Sequence, residues 1–322
     1  MKKLKILFFV IFIFACIICS YYIIIKPITN TIENNGSEYM GFGFYQKNNN
    51  TITPFNNTLY VNNGSFDGYM VIDNHFNHEN QYLILAFLDY NAIPFYYNGT
   101  VSTIHIVNMS PMGMNHSYFN ITNIPNGFHD ILFLVFLDPY NHSLDEVYRL
   151  DTDYSDMGRW RFNVVFKNDL KPLIQFKNVY TDDNNSNKLN GVLVTKDTFS
   201  DKIFLSKNVT PNETLNYFIN IGNKRNISEN YAIIQLLDYN QIPINYNESN
   251  YVYYGSIKSG ERSSIPVNIK IPDSNGVHEL IIIWTTNPYE NIWSLNGTKN
   301  NMQLDSIPSA RIGLNVIINQ NN

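Results

Sequence analysis

The chain is written twice. Residues 81–94, ending Leu88-Asp89-Tyr90-Asn91-Ala92-Ile93-Pro94, recur 149 positions later as 230–243, ending Leu237-Asp238-Tyr239-Asn240-Gln241-Ile242-Pro243. The same offset relates Asn126-Gly127-Phe128-His129-Asp130 to Asn275-Gly276-Val277-His278-Glu279, Pro139-Tyr140 to Pro288-Tyr289, and Asn98 to Asn247. A gapless register held over some 60 residues is a tandem duplication, and it sets the number of folded units at two. The 322 residues accommodate two units of ordinary size. The boundaries fall at 38–168 and 187–320, with 169–186 as a linker rich in Asp and Asn.

Each copy reads as β. The run 81–88 is apolar almost throughout, long enough for a strand buried on both faces and short for a helix. Further strands are expected at 69–73, 101–107, 118–122, 129–137 and 160–166, with the second copy at 215–221, 231–237, 251–257, 264–271, 279–284 and 311–318. Clusters of Asn, Gly and Pro separate them, and no capped segment of helical period competes after the first 26 residues. The expected fold class is all-β: an N-terminal transmembrane helix followed by two tandem antiparallel sandwiches.

The Asn-Gly-x-His-Asp/Glu corner and the Leu-Asp-Tyr-Asn-x-Ile-Pro strand end resemble those of immunoglobulin-like β-sandwich modules of the cell-adhesion-related type. Such modules occur in uncharacterised membrane-anchored prokaryotic, notably archaeal, surface proteins. The resemblance implies a fold and a surface role, and no ligand.

Lys2, Lys3 and Lys5 precede an uncharged stretch, 6–25, closed by Lys26 and Pro27. Twenty residues at about 1.5 Å each match a hydrocarbon core of about 30 Å. The basic residues place a stub, 1–5, in the cytoplasm and the bulk of the chain outside a single-pass cell-membrane anchor. A cleaved signal peptide and a lipid on Cys16 are the alternatives, and all three export the rest. Both cysteines, Cys16 and Cys19, lie in this stretch, so the exterior has neither disulfide nor thiolate chemistry.

Export is supported independently by asparagine. The chain has 50 Asn, 21 Ser and 17 Thr. Random placement gives about 6 Asn-x-Ser/Thr acceptor triplets, against 15 in the sequence. Asn98, Asn141, Asn226, Asn247 and Asn296 are among them, and the enrichment points to an N-glycosylated exterior. A formal charge of −5 supplies no broad basic surface, which argues against nucleic acid.

Candidate chemistry is sparse. His129 and His278 stand in both copies beside a carboxylate, where a corner role needs only the turn itself and catalysis needs a nucleophile that no spacing supplies. Asp89 and Asp238 open turns, where Asp bonds its own backbone. Asp151, Asp153 and Asp156 crowd an acidic loop that resembles a weak calcium site, although the spacing is not that of an EF-hand and no closing Glu follows. No Gly-x-Ser-x-Gly elbow, His-Glu-x-x-His pair or phosphate loop is present. The expectation is a non-enzymatic surface module without a cofactor, structural or adhesive, whose partner is a surface protein or glycan. An accessory or sensory subunit of a membrane complex is the alternative, and an exported envelope enzyme the least supported reading.

Overall fold

The strand Asn80–Leu88 is apolar on both faces because each face has a separate layer to cover it. In the computed structural model Tyr82, Ile84 and Ala86 enter the core of the first sandwich. Leu83, Leu85 and Phe87 point the other way, into a cluster shared with the second repeat. Its copy Glu229–Leu237 divides alike, Tyr231 and Ile233 inward, Ala232, Ile234 and Leu236 across. The structure describes residues 38–46, 58–151, 156–178, 189–290 and 306–318. The stretch 6–25 lies outside these, and among the described residues no helix is long and apolar enough to cross a membrane.

The outer sheet of the first repeat runs Met40–Tyr45, Phe66–Asn74, Met114–Ile121, Phe95–Tyr97 and Thr100–Ser102. Its inner sheet runs Leu59–Tyr60, Met157–Phe166, Gly127–Leu137 and Asn80–Leu88, with Ile104–Met109 beyond. In the second repeat the outer sheet is Gly191–Thr195, Thr214–Gly222 and Arg262–Lys270. The inner one is Lys177–Asn178, Tyr253–Ile257, Glu229–Leu237, Gly276–Thr286, Ile312–Val316 and Ser206–Val209. Long strands pair antiparallel, while the short flanking strands Leu59–Tyr60 and Ser206–Val209 lie parallel to the last strand of their repeat. In each repeat the penultimate long strand lies between the strand buried on both faces and the last one, as in immunoglobulin-like sandwiches. Gly127–Leu137 lies between Asn80–Leu88 and Met157–Phe166, and Gly276–Thr286 between Glu229–Leu237 and Ile312–Val316. The protein is all-β apart from one short described helix, Glu146–Asp151.

Four layers result: outer, inner, inner, outer. The inner sheets face one another, and the described chain from Tyr39 onward is one compact unit. Leu132, Leu134 and Phe136 of one repeat and Ile281 and Ile283 of the other complete the seam. Each fully buried side chain of this kind contributes about 1.5–3 kcal/mol, so the repeats are not beads on a string. Tandem domains with a polar linker are thus packed face to face here rather than strung end to end.

Three local expectations also change. The run 101–107 is two strands on opposite sheets, because the chain crosses the sandwich at Thr103. Lys177–Asn178, within the supposed linker, pairs with Tyr253–Ile257 of the second repeat. The helix Glu146–Asp151 was not expected; Asp145 caps it by accepting the Tyr148 amide at 3.0 Å.

Candidate functional site at the seam between the repeats

The residues that the repeats share meet at the seam. Leu88 pairs with Asn91 and Leu237 with Asn240, leaving two-residue hairpin turns. Both turn residues take left-handed backbone, Asp89 and Tyr90 at φ 52° and 65°, Asp238 and Tyr239 at 49° and 63°. That is a type I′ turn, for which Asn-Gly is the inexpensive choice. A tyrosine at positive φ costs on the order of 1 kcal/mol or more and persists only where its surroundings hold it.

They do. Asp89 accepts the Asp130 amide at 3.1 Å through Oδ1 and meets His129 Nδ1 at 2.6 Å through Oδ2. Asp238 does the same with the Glu279 amide at 2.9 Å and His278 Nδ1 at 2.6 Å. The far imidazole nitrogens reach backbone carbonyls, His129 Nε2 that of Pro125 and His278 Nε2 that of Ser274, each at 3.0 Å. Both nitrogens of each ring therefore face acceptors, an arrangement that favours the doubly protonated imidazolium. Burial alone would lower their pKa values, but the neighbouring carboxylate and carbonyl outweigh it and raise both. The corner also needs glycine: Gly127 and Gly276 sit at φ 136° and 122°, open to few other residues.

Ser274 Oγ lies 3.3 Å from His278 Nε2, and with Asp238 it forms the outline of a hydrolytic triad that the sequence spacing did not reveal. The outline lacks its chemistry. A general base needs a bare Nε2, and here the proton on that nitrogen is held by the Ser274 carbonyl. The first repeat makes the same bond with Pro125 in the serine's place. The clasp fastens two strand ends.

From the turns the tyrosines enter the seam, where Tyr90 and Tyr239 are 1% and 2% exposed. Tyr90 donates to the buried Asp130 carboxylate, while Tyr239 donates to the Pro139 carbonyl of the other repeat at 2.8 Å. Two arginines cross reciprocally. Arg161 donates to the carbonyls of Thr286 (2.7 Å) and Asn287 (3.3 Å). Arg311 donates to those of Leu137 (3.3 Å), Asp138 (3.2 Å) and Pro139 (3.0 Å). Leu137 and Asp138 are the 149-residue counterparts of Thr286 and Asn287, so the seam has approximate two-fold symmetry.

The carboxylates complete it unequally. Asp130 accepts the Tyr289 amide from across the seam at 2.8 Å, and desolvation raises its pKa against the opposing pull of Arg161. Glu279 is bound from across the seam by Arg149 at 2.5 Å and by His142 at 3.1 Å. Arg149, Arg161 and Arg311 escaped the sequence reading. Arg161 and Arg311 signalled themselves only as a cation inside or beside an apolar strand, and Arg149, on the helix Glu146–Asp151, had not even that signal. Both carboxylates are fully buried, so the arrangement can lock two domains but cannot meet a substrate.

The other expected sites fall elsewhere. Asn98, Asn141, Asn226 and Asn247 are exposed, with Asn98 and Asn247 at φ 43° and 73° on loop positions. Asn296 and Asp153 lie outside the described residues, as does the side chain of Asp151. Asp156 is partly exposed, and among the described residues no three acidic, His or Cys side chains gather as a metal site. An apolar cleft of about 400 Å³, lined by Val192, Val194, Phe204 and Ile307 among others, carries no titratable side chain.

No known protein family matches the sequence, and no curated protein does. Among solved structures, a red sea bream transglutaminase is similar over 88% of this chain, at 10% identity and a TM-score of 0.25. This chain spans 31% of that enzyme's length. The CARDB domain of the PF1109 protein from Pyrococcus furiosus, solved in complex with di-metal ions, matches 41% of this chain and 94% of its own, at 15% identity and 0.23. A PapD-like domain of human CEP192 matches 46% and 94%, at 12% and 0.23.

Proposed function

We propose that the protein is a membrane-anchored, glycosylated surface module of structural or adhesive type, held by residues 6–25 and acting without catalysis or a cofactor. The observation that carries this reading is where the repeat-shared chemistry goes. His129, His278, Asp89, Asp238, Asp130 and Glu279 are all engaged in closing turns or joining the repeats, which leaves them nothing to offer a substrate. A duplicated pair locked face to face suits a rigid display platform for a surface protein or glycan partner.

The asparagines support an external, sugar-bearing surface. Ten acceptor triplets fall on described residues and none of their asparagines is buried. The six asparagines buried among the described residues, at 74, 80, 163, 220, 223 and 287, all lie outside acceptor triplets.

Crosslinking on intact cells followed by mass spectrometry tests the partner, with one recurrent surface protein or glycan as the expected result. Hydrolysis of envelope glycans or peptides by the purified chain, lost in both His278→Ala and Ser274→Ala, would overturn the non-enzymatic reading.

A further inference from the structure

The outer sheet of the first repeat carries an aromatic row on its solvent side. Tyr45, Tyr69 and Tyr118 are direct cross-strand neighbours. His116 stacks on Tyr69 with centroids 4.7 Å apart, and Tyr96 meets Tyr118 at 5.8 Å. Cross-strand pairs of this kind steady a sheet, and the row ends at a polar residue. Asn120, half-buried on the same face, opens the acceptor triplet Asn120-Ile121-Thr122. Tyr96 and Asp67 stand opposite it on the two neighbouring strands, and Tyr118 precedes it by two residues.

We propose that Asn120 is glycosylated and that its first sugar lies against Tyr96 and Tyr118, so that the aromatic row is a cradle for this chain's own glycan. The inference rests on the reading of a glycosylated exterior and names one site and one use for it. Ser65 Oγ donates to Asn120 Oδ1 at 2.6 Å, which fixes the amide through the atom that glycosylation leaves free. Tyr118 is fixed in turn by donating to Asp67 Oδ2 at 2.7 Å. A pyranose presents a face of C–H bonds to an aromatic ring, while its hydroxyls can reach the Asp67 carboxylate at the edge.

The second repeat supplies the contrast. Asn268 occupies the matching place opposite Asn216, as Asn120 does opposite Asp67. Asn268-Ile269-Lys270 is not an acceptor triplet. There the residue two before is Pro266, the neighbour at the position of Tyr96 is Asn245, and Asn268 Oδ1 accepts the Tyr246 amide at 2.9 Å. Both rings are gone where the triplet is gone.

The test uses the full chain isolated from the cells that make it. Glycopeptide mass spectrometry is expected to find sugar on Asn120 as well as on Asn98 and Asn247. Thr122→Ala, which removes the triplet at an exposed position, is expected to lower Tm by about 2–5 °C, and by less than half as much in a Tyr96→Leu background. Protons of the first sugar are expected to shift upfield in the NMR spectrum through the ring current. A bare Asn120 beside occupied Asn98 and Asn247 overturns this inference and spares the wider reading; bare asparagines at all three overturn both. Equal losses of Tm in the two backgrounds overturn the cradle, and if Tyr96→Leu does not fold, unshifted sugar protons do so.

Discussion

The two sandwiches solve one packing problem in two ways. In the first, Asn74 Oδ1 accepts both Asn80 Nδ2 and the Tyr82 hydroxyl at 2.8 Å, and Asn74 Nδ2 donates to the carbonyls of Ser110 (2.7 Å) and His78 (3.1 Å). The counterparts 149 residues on are Asn223, Glu229 and Tyr231. Asn223 keeps its two carbonyl bonds, to Ile227 at 2.8 Å and Lys258 at 3.4 Å, but its Oδ1 takes the Arg225 amide instead. A carboxylate cannot donate as Asn80 does. Glu229 has Arg225 beside it at 3.3 Å, and neither it nor the Tyr231 hydroxyl bonds Asn223 as Asn80 and Tyr82 bond Asn74. One repeat closes its core end with a neutral network, the other with a buried acid whose pKa desolvation raises. The two clusters keep the tyrosine and the first asparagine and differ in the polar residue between them.

The largest test transplants the difference. Asn80→Glu is expected to cost about 3–5 kcal/mol in denaturant unfolding, because it buries a charge with no arginine beside it and removes a donor from Asn74. A cost below about 1 kcal/mol would mean that the first cluster accepts an acid as readily as the second.

Next come the arginines of the seam. Arg311→Leu is expected to cost about 3 kcal/mol, since three carbonyls lose a charged donor and buried Glu279 loses a nearby cation. Arg161→Leu, which gives up two carbonyl bonds and the cation 3.9 Å from buried Asp130, is expected to cost about 3 kcal/mol as well. Unfolding in two separate transitions for either variant would show that the seam couples the repeats through these residues; costs below about 0.5 kcal/mol in both would mean that the arginines do not hold it.

Glu229→Gln is expected to stabilise the protein by about 1 kcal/mol at pH 8 by removing the buried charge. The sign with pH follows from the raised folded pKa. Protonation favours the fold, so the Glu229 contribution is fully present below the ordinary 4.5 and is lost as pH rises through the folded value. The Gln variant's advantage should therefore vanish in acid, and an advantage that persists there would discard the assignment.

The smallest effect belongs to the clasps that both repeats share. His129→Asn and His278→Asn are each expected to cost about 1 kcal/mol near pH 6. Their raised pKa values put the full contribution below the ordinary 6.5, with loss as pH climbs through the folded value. A pH-independent cost would mean that the rings are neutral.

Much of this was legible along the chain. The strand runs, the turn at Asp89-Tyr90 and the corner at Gly127-Phe128-His129 are local, and each repeats its own signal. The helix Glu146–Asp151 was missed because six residues carry too little periodicity, although Asp145 marked its start. The run 101–107 misled because a strand that changes sheets keeps its composition. Asn120 was one acceptor among fifteen until pairing set Tyr96 opposite it.

The sequence by itself determined the duplication, the all-β character and strands buried on both faces, since period and composition are properties of consecutive residues. Only the tertiary structure decided what covers the second face. Leu83, Leu85 and Phe87 would read the same against a helix, another chain or a membrane-complex partner, and the sister repeat covers them here. The same holds for polar groups: Glu229 and Asn80 differ by one letter, and which of them finds a hydrogen bond depends on atoms far away in the chain. Burial and hydrogen bonding are set by neighbours in space, and no single stretch of sequence contains them.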